Sequence, residues 1–266
     1  MTGVLVLLAI AGAAGVAVLG ARLRRSRREV ERHRAALGRT VERVEHIERA
    51  FQRFAPLEVV ERFAQGETGH EPAYRDVTVM FADLKGFTPM SERIEPPVMV
   101  EMLNGYFRAM NRALTEHHGH LSRLMGDGLM ALFGAFDDNP WQAADAVRAA
   151  LAMRAALEEY NLKLADIGLP KLAFGIGINK GRTVAGVMGS DRLMEFTVIG
   201  DAVNLAARVE GLTRTLDTDI LVTQTVRDAL DDRFVVRQMP ATAVKGKTEP
   251  IVTFAVDSFA ERASGS

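Results

Sequence analysis

VTVMFADLKGF, Val77 to Phe87, reads as a buried strand that ends on a carboxylate. Val77, Val79, Met80 and Phe81 have the β-branched, apolar character of a core strand, and the run stops at Asp83, just before Lys85 and Gly86. A carboxylate in that position is held rigidly yet can face solvent. A second stretch, RLMGDGLMALFG from Arg123 to Gly134, reads as two short strands joined by a tight glycine turn with Asp127 at its tip. A β-α-β-β unit sets the first strand beside this hairpin, so Asp83 and Asp127 can share a metal ion although 44 positions separate them. Either Asp alone is ordinary turn chemistry. As neighbours they repel unless a cation or proton holds them. The chain has no Cys, hence no thiolate site, and a hard cation such as Mg²⁺ or Mn²⁺, completed by substrate phosphates, is expected over structural zinc.

Outward from these two stretches the chain alternates. Helical periodicity covers about residues 97–117, with Val98, Met102, Leu103, Phe107, Met110 and Leu114 on one side; a second helix is expected over 141–163. LAFGIGIN, Leu172 to Asn179, is another strand, whose glycines point to close backbone approach. The order β-α-β-β-α-β predicts an α+β, ferredoxin-like core with one side of its sheet available to ligands or a second subunit. Farther on, Asp201 to Glu210 reads as a helix with Asn204 and Arg208 four apart on one face. Such a pair can bind a phosphate and stabilise charge growing on it, or it can be a plain surface turn of helix capped by Asp201. Lys245 and Lys247 flank Gly246 before a final strand, Ile251 to Val256. GKT there is no P-loop, because Ala241 stands where its first glycine belongs; a lysine contact to polyphosphate and a solvated hairpin both remain open.

Composition frames the whole. With 266 residues, 48% hydrophobic and 25% charged, the chain is too long for one small module and too apolar for disorder. A net charge of −1 argues against a dedicated nucleic-acid binder. Residues 3–21 carry no charge and are followed by Arg22, Arg24, Arg25, Arg27 and Arg28. Nineteen such residues just span roughly 30 Å of hydrocarbon, and the basic flank predicts a single-pass anchor in the plasma or inner membrane with the rest of the chain cytoplasmic. A cleaved signal peptide and a buried or interfacial helix are the alternatives. Val30, Leu37, Val44 and Phe51, each followed by His33, Thr40, Ile47 and Phe54 three residues on, make a heptad seam, read as a parallel coiled coil or as a solvated amphipathic helix. The expected organisation is a transmembrane anchor at 1–22, a coiled-coil and helical linker at 23–70, the α+β domain at 71–258 and a flexible tail at 259–266.

Together FADLKGFT with Asp83, GDGLMALFG with Asp127, EFTVIGDAVNLAAR with Thr197, Asn204 and Arg208, and VKGKTEP with Lys245 resemble, in number, order and spacing, the catalytic domain of the class III nucleotidyl cyclases, bacterial adenylate cyclase type. The resemblance covers roughly residues 76–257, and AFQRFAPLEVVERFAQGE, Ala50 to Glu67, looks like the helical transducer that often precedes such domains. It implies two divalent ions, Mg²⁺ or Mn²⁺, held by Asp83 and Asp127, with Asn204 and Arg208 from a partner subunit steadying the transition state. Lys245 is implied at phosphate, and Gly86 and Phe87 at substrate. A homodimer with two composite sites follows, converting ATP to 3′,5′-cyclic AMP and pyrophosphate.

One departure concerns the base. Where the family's adenine-reading Lys stands three residues before the Gly of GD, this chain has Arg123, with Thr197 as the partner reader. Arg123 and Thr197 can serve adenine, but guanine O6 can also accept from Arg123 and the Thr hydroxyl can accept from guanine N1–H. ATP leads, with a guanylate or mixed-specificity cyclase as the alternative. A degenerate cyclase-like binding or dimerisation module is the reading from another class. A diguanylate cyclase is excluded because its GG[DE][EF] turn is absent: the hairpin reads Met125-Gly126-Asp127-Gly128.

Overall fold

A computed structural model describes residues 72–190 and 193–260, with short helical pieces at 25, 33–34, 37–38 and 40–44. The first strand, β1 (Ala73–Leu84), is longer than the apolar run because Tyr74 to Asp76 continue its pairing. Helices α1 (Phe87–Ser91) and α2 (Pro96–Glu116) follow, then the hairpin β2 (His120–Met125) and β3 (Gly128–Phe133), then α3 (Gln142–Asp166). Next come β4 (Phe174–Ser190), β5 (Leu193–Ile199), α4 (Asp201–Thr215), β6 (Ile220–Thr223), α5 (Gln224–Arg227), β7 (Phe234–Gln238) and β8 (Thr253–Phe259).

These strands form one mixed sheet in the order β2-β3-β1-β4-β6-β8-β7, with β5 pairing to β4 off that path. β1 is antiparallel to both β3 and β4, whereas β4 and β6 run parallel through Ile176–Ile178 and Ile220–Val222. Side chains alternate across this sheet. Met80, Ala82, Leu84, Ile176, Ile178, Ile220 and Val222 face the main core with Met102, Met110, Leu114, Val147 and Met153 of α2 and α3. Leu221 and Ala255 belong to a smaller core with Val209 and Leu212 of α4. Odd-numbered positions at the end of β1 and the start of β4 therefore look toward α4. The glycines of β4 permit its approach: a Cβ on Gly177 would lie 2.1 Å from the backbone nitrogen of Glu210 and 2.6 Å from the carbonyl of Ala206.

Two expectations are corrected. The ferredoxin-like four-stranded core is not the architecture, which is a mixed α/β, eight-stranded sheet. β4 runs on for 17 residues, long enough to pair with β1, β5 and β6, and the short strands β5, β6 and β7 carry too little periodicity to stand out in sequence. The sheet face expected to be open is partly covered by α4. The membrane-anchored reading is also set aside, with its membrane partner and single-pass placement. Among the described residues no helix is long and apolar enough to cross a membrane. The long helices α2 and α3 are instead two-faced, with charges such as Arg112, Glu116, Glu159 and Lys163 on the exposed side. Residues 3–21 lie outside the described residues, as do Val30, Ile47, Phe51 and Phe54 of the heptad seam; its described positions, His33, Leu37, Thr40 and Val44, are helical and exposed.

Candidate active site

Three groups of side chains form where strand ends and α4 meet. The first lies at the end of β1. Asp83 and the two-residue turn Gly126-Asp127 come together because β1 pairs with β3 in the register Ala82↔Leu129, one step from Gly128. Gly126 takes the left-handed conformation, φ 65°, that closes such a turn at no cost only for glycine. Gly128 leaves room for the carboxylate, since a Cβ there would sit 2.8 Å from Asp83 Oδ1. Partial burial raises the Asp127 carboxyl above its ordinary value, and the negative charge of Asp83 adds to the rise.

Two residues of α4 complete this corner. Arg214 donates to Asp83 at 2.5 Å and to Glu210 at 2.9 Å, so one guanidinium bridges a strand-end carboxylate and a helix carboxylate. Glu210 is pushed up to about 7, chiefly by burial, with Arg214 opposing and Asp83 reinforcing the shift. The hydroxyl of Tyr106, fully buried on α2, has its pKa raised by burial and by the charges of Asp83, Asp127 and Glu210. Spacing could have revealed Glu210 and Arg214 as an i, i+4 pair, but not that Asp83 lies within their reach.

Two neighbouring hard carboxylates, with a basic side chain drawn to one of them, suit a divalent cation. Among the described residues no group of three or more His, Cys, Asp or Glu could hold a metal. The chain would therefore supply a pair of ligands and leave the remainder to water and phosphate, as Mg²⁺ commonly accepts.

The second group lies toward the start of α4. Asn204 is exposed one turn before Arg208. The loop carrying Lys245 and Lys247 folds over this turn: Lys247 donates to Asp201 at 2.6 Å, and Gly246, φ 77°, sits where a Cβ would be 3.1 Å from Arg208 Nη2. Asp201 is thus an ion-pair partner rather than the helix cap, which is Gly200. Arg208 Nη1 is buried without a hydrogen-bond partner, a donor that an anion would satisfy. Lys245, the residue before Gly246, is exposed. At 1.5 Å rise per residue, Asn204 stands roughly 15 Å along the axis from Arg214. Asn204 is therefore set apart along α4 from the end that reaches Asp83 through Arg214.

The third group joins β2 to β5. Arg123 follows an irregularity in which the β2–β3 register shifts between Leu121 and Arg123. Its guanidinium pairs side-on with Glu195, Nε to Oε1 at 2.9 Å and Nη2 to Oε2 at 2.5 Å. Thr197, two residues along β5 on the same face, is nearly buried, while Phe196 between them stacks on Phe136 with ring centroids 4.3 Å apart. Gly86, φ 67°, turns the chain from β1 into α1, and Phe87 packs partly against the core just past Asp83.

The family model for the adenylate and guanylate cyclase catalytic domain matches residues 70–258. An adenylate cyclase of Anabaena cylindrica is 37% identical over 218 residues, 78% of this chain and 42% of that protein. Among solved structures, the guanylyl cyclase Cya2 superposes with a TM-score of 0.69 at 35% identity, over 73% of this chain and 98% of that one. The adenylyl cyclase CyaB from P. aeruginosa does so with a TM-score of 0.68 at 29% identity, over 74% and 100%. The chain spans less than half the length of the curated relatives it matches.

Proposed function

We propose, from the premise that this chain belongs to the adenylate and guanylate cyclase catalytic domain family, that it is a metal-dependent class III nucleotidyl cyclase with mixed purine specificity. The observation that carries the reading is the meeting of Asp83 and Asp127 at one corner of the sheet, from strands far apart in sequence. In the reaction the ribose 3′ oxygen bonds to the α-phosphorus, the bond from that phosphorus to the pyrophosphate oxygen breaks, and the 3′ proton leaves to solvent. Divalent ions, two per site, would neutralise the triphosphate and ease loss of the 3′ proton when bound.

The chain's own residues do the positioning. Asp83 and Asp127 would hold the cations. Arg208, whose buried nitrogen lacks a partner, meets charge developing at the α-phosphate, and Asn204 orients the ribose. Lys245 contacts the outer phosphates, and Gly86 and Phe87 line the approach beside Asp83. The separation of Asn204 along α4 from the end that reaches Asp83 supports a homodimer in which each site takes Asp83 and Asp127 from one subunit and Asn204 and Arg208 from the other.

Arg123 and Thr197 read the base. Arginine donates to adenine N1 and to guanine O6 alike, and the similar structures include enzymes named for each activity, so a strict ATP preference is less well supported than mixed use. The test is product identification after incubating the purified full-length chain with ATP or GTP and Mn²⁺ or Mg²⁺. Appearance of 3′,5′-cyclic nucleotide and pyrophosphate is expected, and absence of both cyclic products would refute the reading.

A further inference from the structure

No sequence motif marks Arg214, yet it is bonded to one of the two carboxylates that a cation needs. It stands in the last turn of α4, where its Nη2 donates to Asp83 Oδ2 at 2.5 Å and, more weakly, to the carbonyl of Leu84 at 3.4 Å. Its Nη1 donates to Glu210 Oε1 at 2.9 Å, one turn back on the same helix. The Glu210 side chain is 11% exposed and that of Arg214 is 41% exposed. The bridge is thus anchored at Glu210 and open to solvent at the arginine.

The contact has two physical readings. As a brace, Arg214 would hold Asp83 in place for a metal ion. Asp83 is already placed without it: its backbone pairs with Gly175 of β4, and its Oδ1 lies 2.8 Å from where a Cβ on Gly128 would be, so the β2–β3 turn limits the carboxylate on that side. As a competitor, Arg214 puts a full positive charge on an oxygen that a divalent ion would also use. A guanidinium and a dication sharing one carboxylate repel by far more than thermal energy, even at an effective dielectric of about 20. Competition therefore outweighs bracing.

We propose that Arg214 is a built-in competitor for the cation site: it occupies Asp83 Oδ2, has to give up that oxygen for the site to fill, and so sets the metal concentration at which Asp83 and Asp127 take up their ions. This rests on the cyclase reading above. Release of Asp83 does not strand the guanidinium, because Glu210 still accepts from it and the C-terminal end of α4 favours a cation.

The test follows Mn²⁺ binding to the purified full-length chain without nucleotide, through loss of the free-ion electron paramagnetic resonance signal. Arg214→Met, which keeps the length and removes the charge, is expected to tighten Mn²⁺ binding by about tenfold or more. The same gain is expected when Arg214→Met is added to Glu210→Gln, a background that leaves no unpaired carboxylate on this turn of α4; this comparison decides if thermal unfolding shows the single variant to be unstable. Adding Asp83→Ala should abolish the tightened site. Unchanged or weaker Mn²⁺ binding on removal of Arg214 in the Glu210→Gln background overturns the competitor role, weaker binding being the mark of a brace, and so does a gain that survives Asp83→Ala. The readout needs no turnover. Tightened Mn²⁺ binding in a protein that forms neither cyclic product sinks the cyclase reading and leaves this role standing, whereas normal product formation with an unmoved Mn²⁺ affinity does the reverse.

Discussion

Gly177→Ala adds one carbon where α4 lies on β4. That carbon would sit 2.1 Å from Glu210 N, 2.6 Å from Glu210 Cα and 2.6 Å from Ala206 O. All three are backbone atoms of the helix, so no rotamer change can make room. Ordinary contact begins near 3.4 Å, and the helix must therefore retreat by about 1 Å or the strand must buckle. Overpacking of this kind costs about 1–3 kcal/mol, which for a domain of this size lowers Tm by roughly 3–10 °C. The functional cost should be larger, because α4 carries Asn204 and Arg208, and a misplacement of about 1 Å in positioning groups can cost on the order of a hundredfold in rate. The informative control is Gly211→Ala on the same helix, where a Cβ meets nothing within 4 Å. There alanine should raise stability by up to about 1 kcal/mol through helix propensity. Thermal unfolding and kcat/KM on both variants decide the matter. If Gly177→Ala melts and turns over like the wild type, the close packing of α4 on β4 is wrong, and so is the claim that it positions the site.

Asp83→Ala and Asp127→Ala are each expected to lower activity by orders of magnitude while Tm moves by only a few degrees; retention of more than about one-tenth of the activity in both would sink the two-metal account. Asp83→Ala and Asn204→Ala chains, each nearly inactive alone, should regain activity when mixed, since one intact Asp pair then meets an intact Asn204 and Arg208; heterodimers that form yet stay silent would reject the composite site. Glu210 gives a pH prediction. Its folded carboxyl titrates at about 7, above its ordinary 4.5, so the folded state binds the extra proton between those values. That contribution is fully present below about pH 4.5 and is lost as the pH rises through about 7, amounting to at most about 3 kcal/mol. Denaturant titrations with chelator should show the wild type losing stability from pH 5 to 8 and Glu210→Gln losing less; equal slopes would place the effect elsewhere.

Much of this was legible in the residues alone. The run from Val77 to Asp83 and the Gly126-Asp127-Gly128 turn are local features, set by apolar alternation and by a left-handed glycine, and they needed no distant partner to be read. The spacing of Asn204 and Arg208 put them on one helix face for the same reason. The extent of the sheet was not legible. β6 is four residues long, and β5 and β7 are strands only because β4 and β8 offer them edges to pair with. A strand's hydrogen bonds are made to another segment, so its existence is partly a property of that segment. The same reason governs the site. Arg214 reaching Asp83 and Glu195 reaching Arg123 join positions 131 and 72 residues apart. No period or motif encodes such pairs. They arise because glycines at 175 and 177 let α4 settle on the sheet, and because β5 returns along β4 far enough to bring its carboxylate to Arg123.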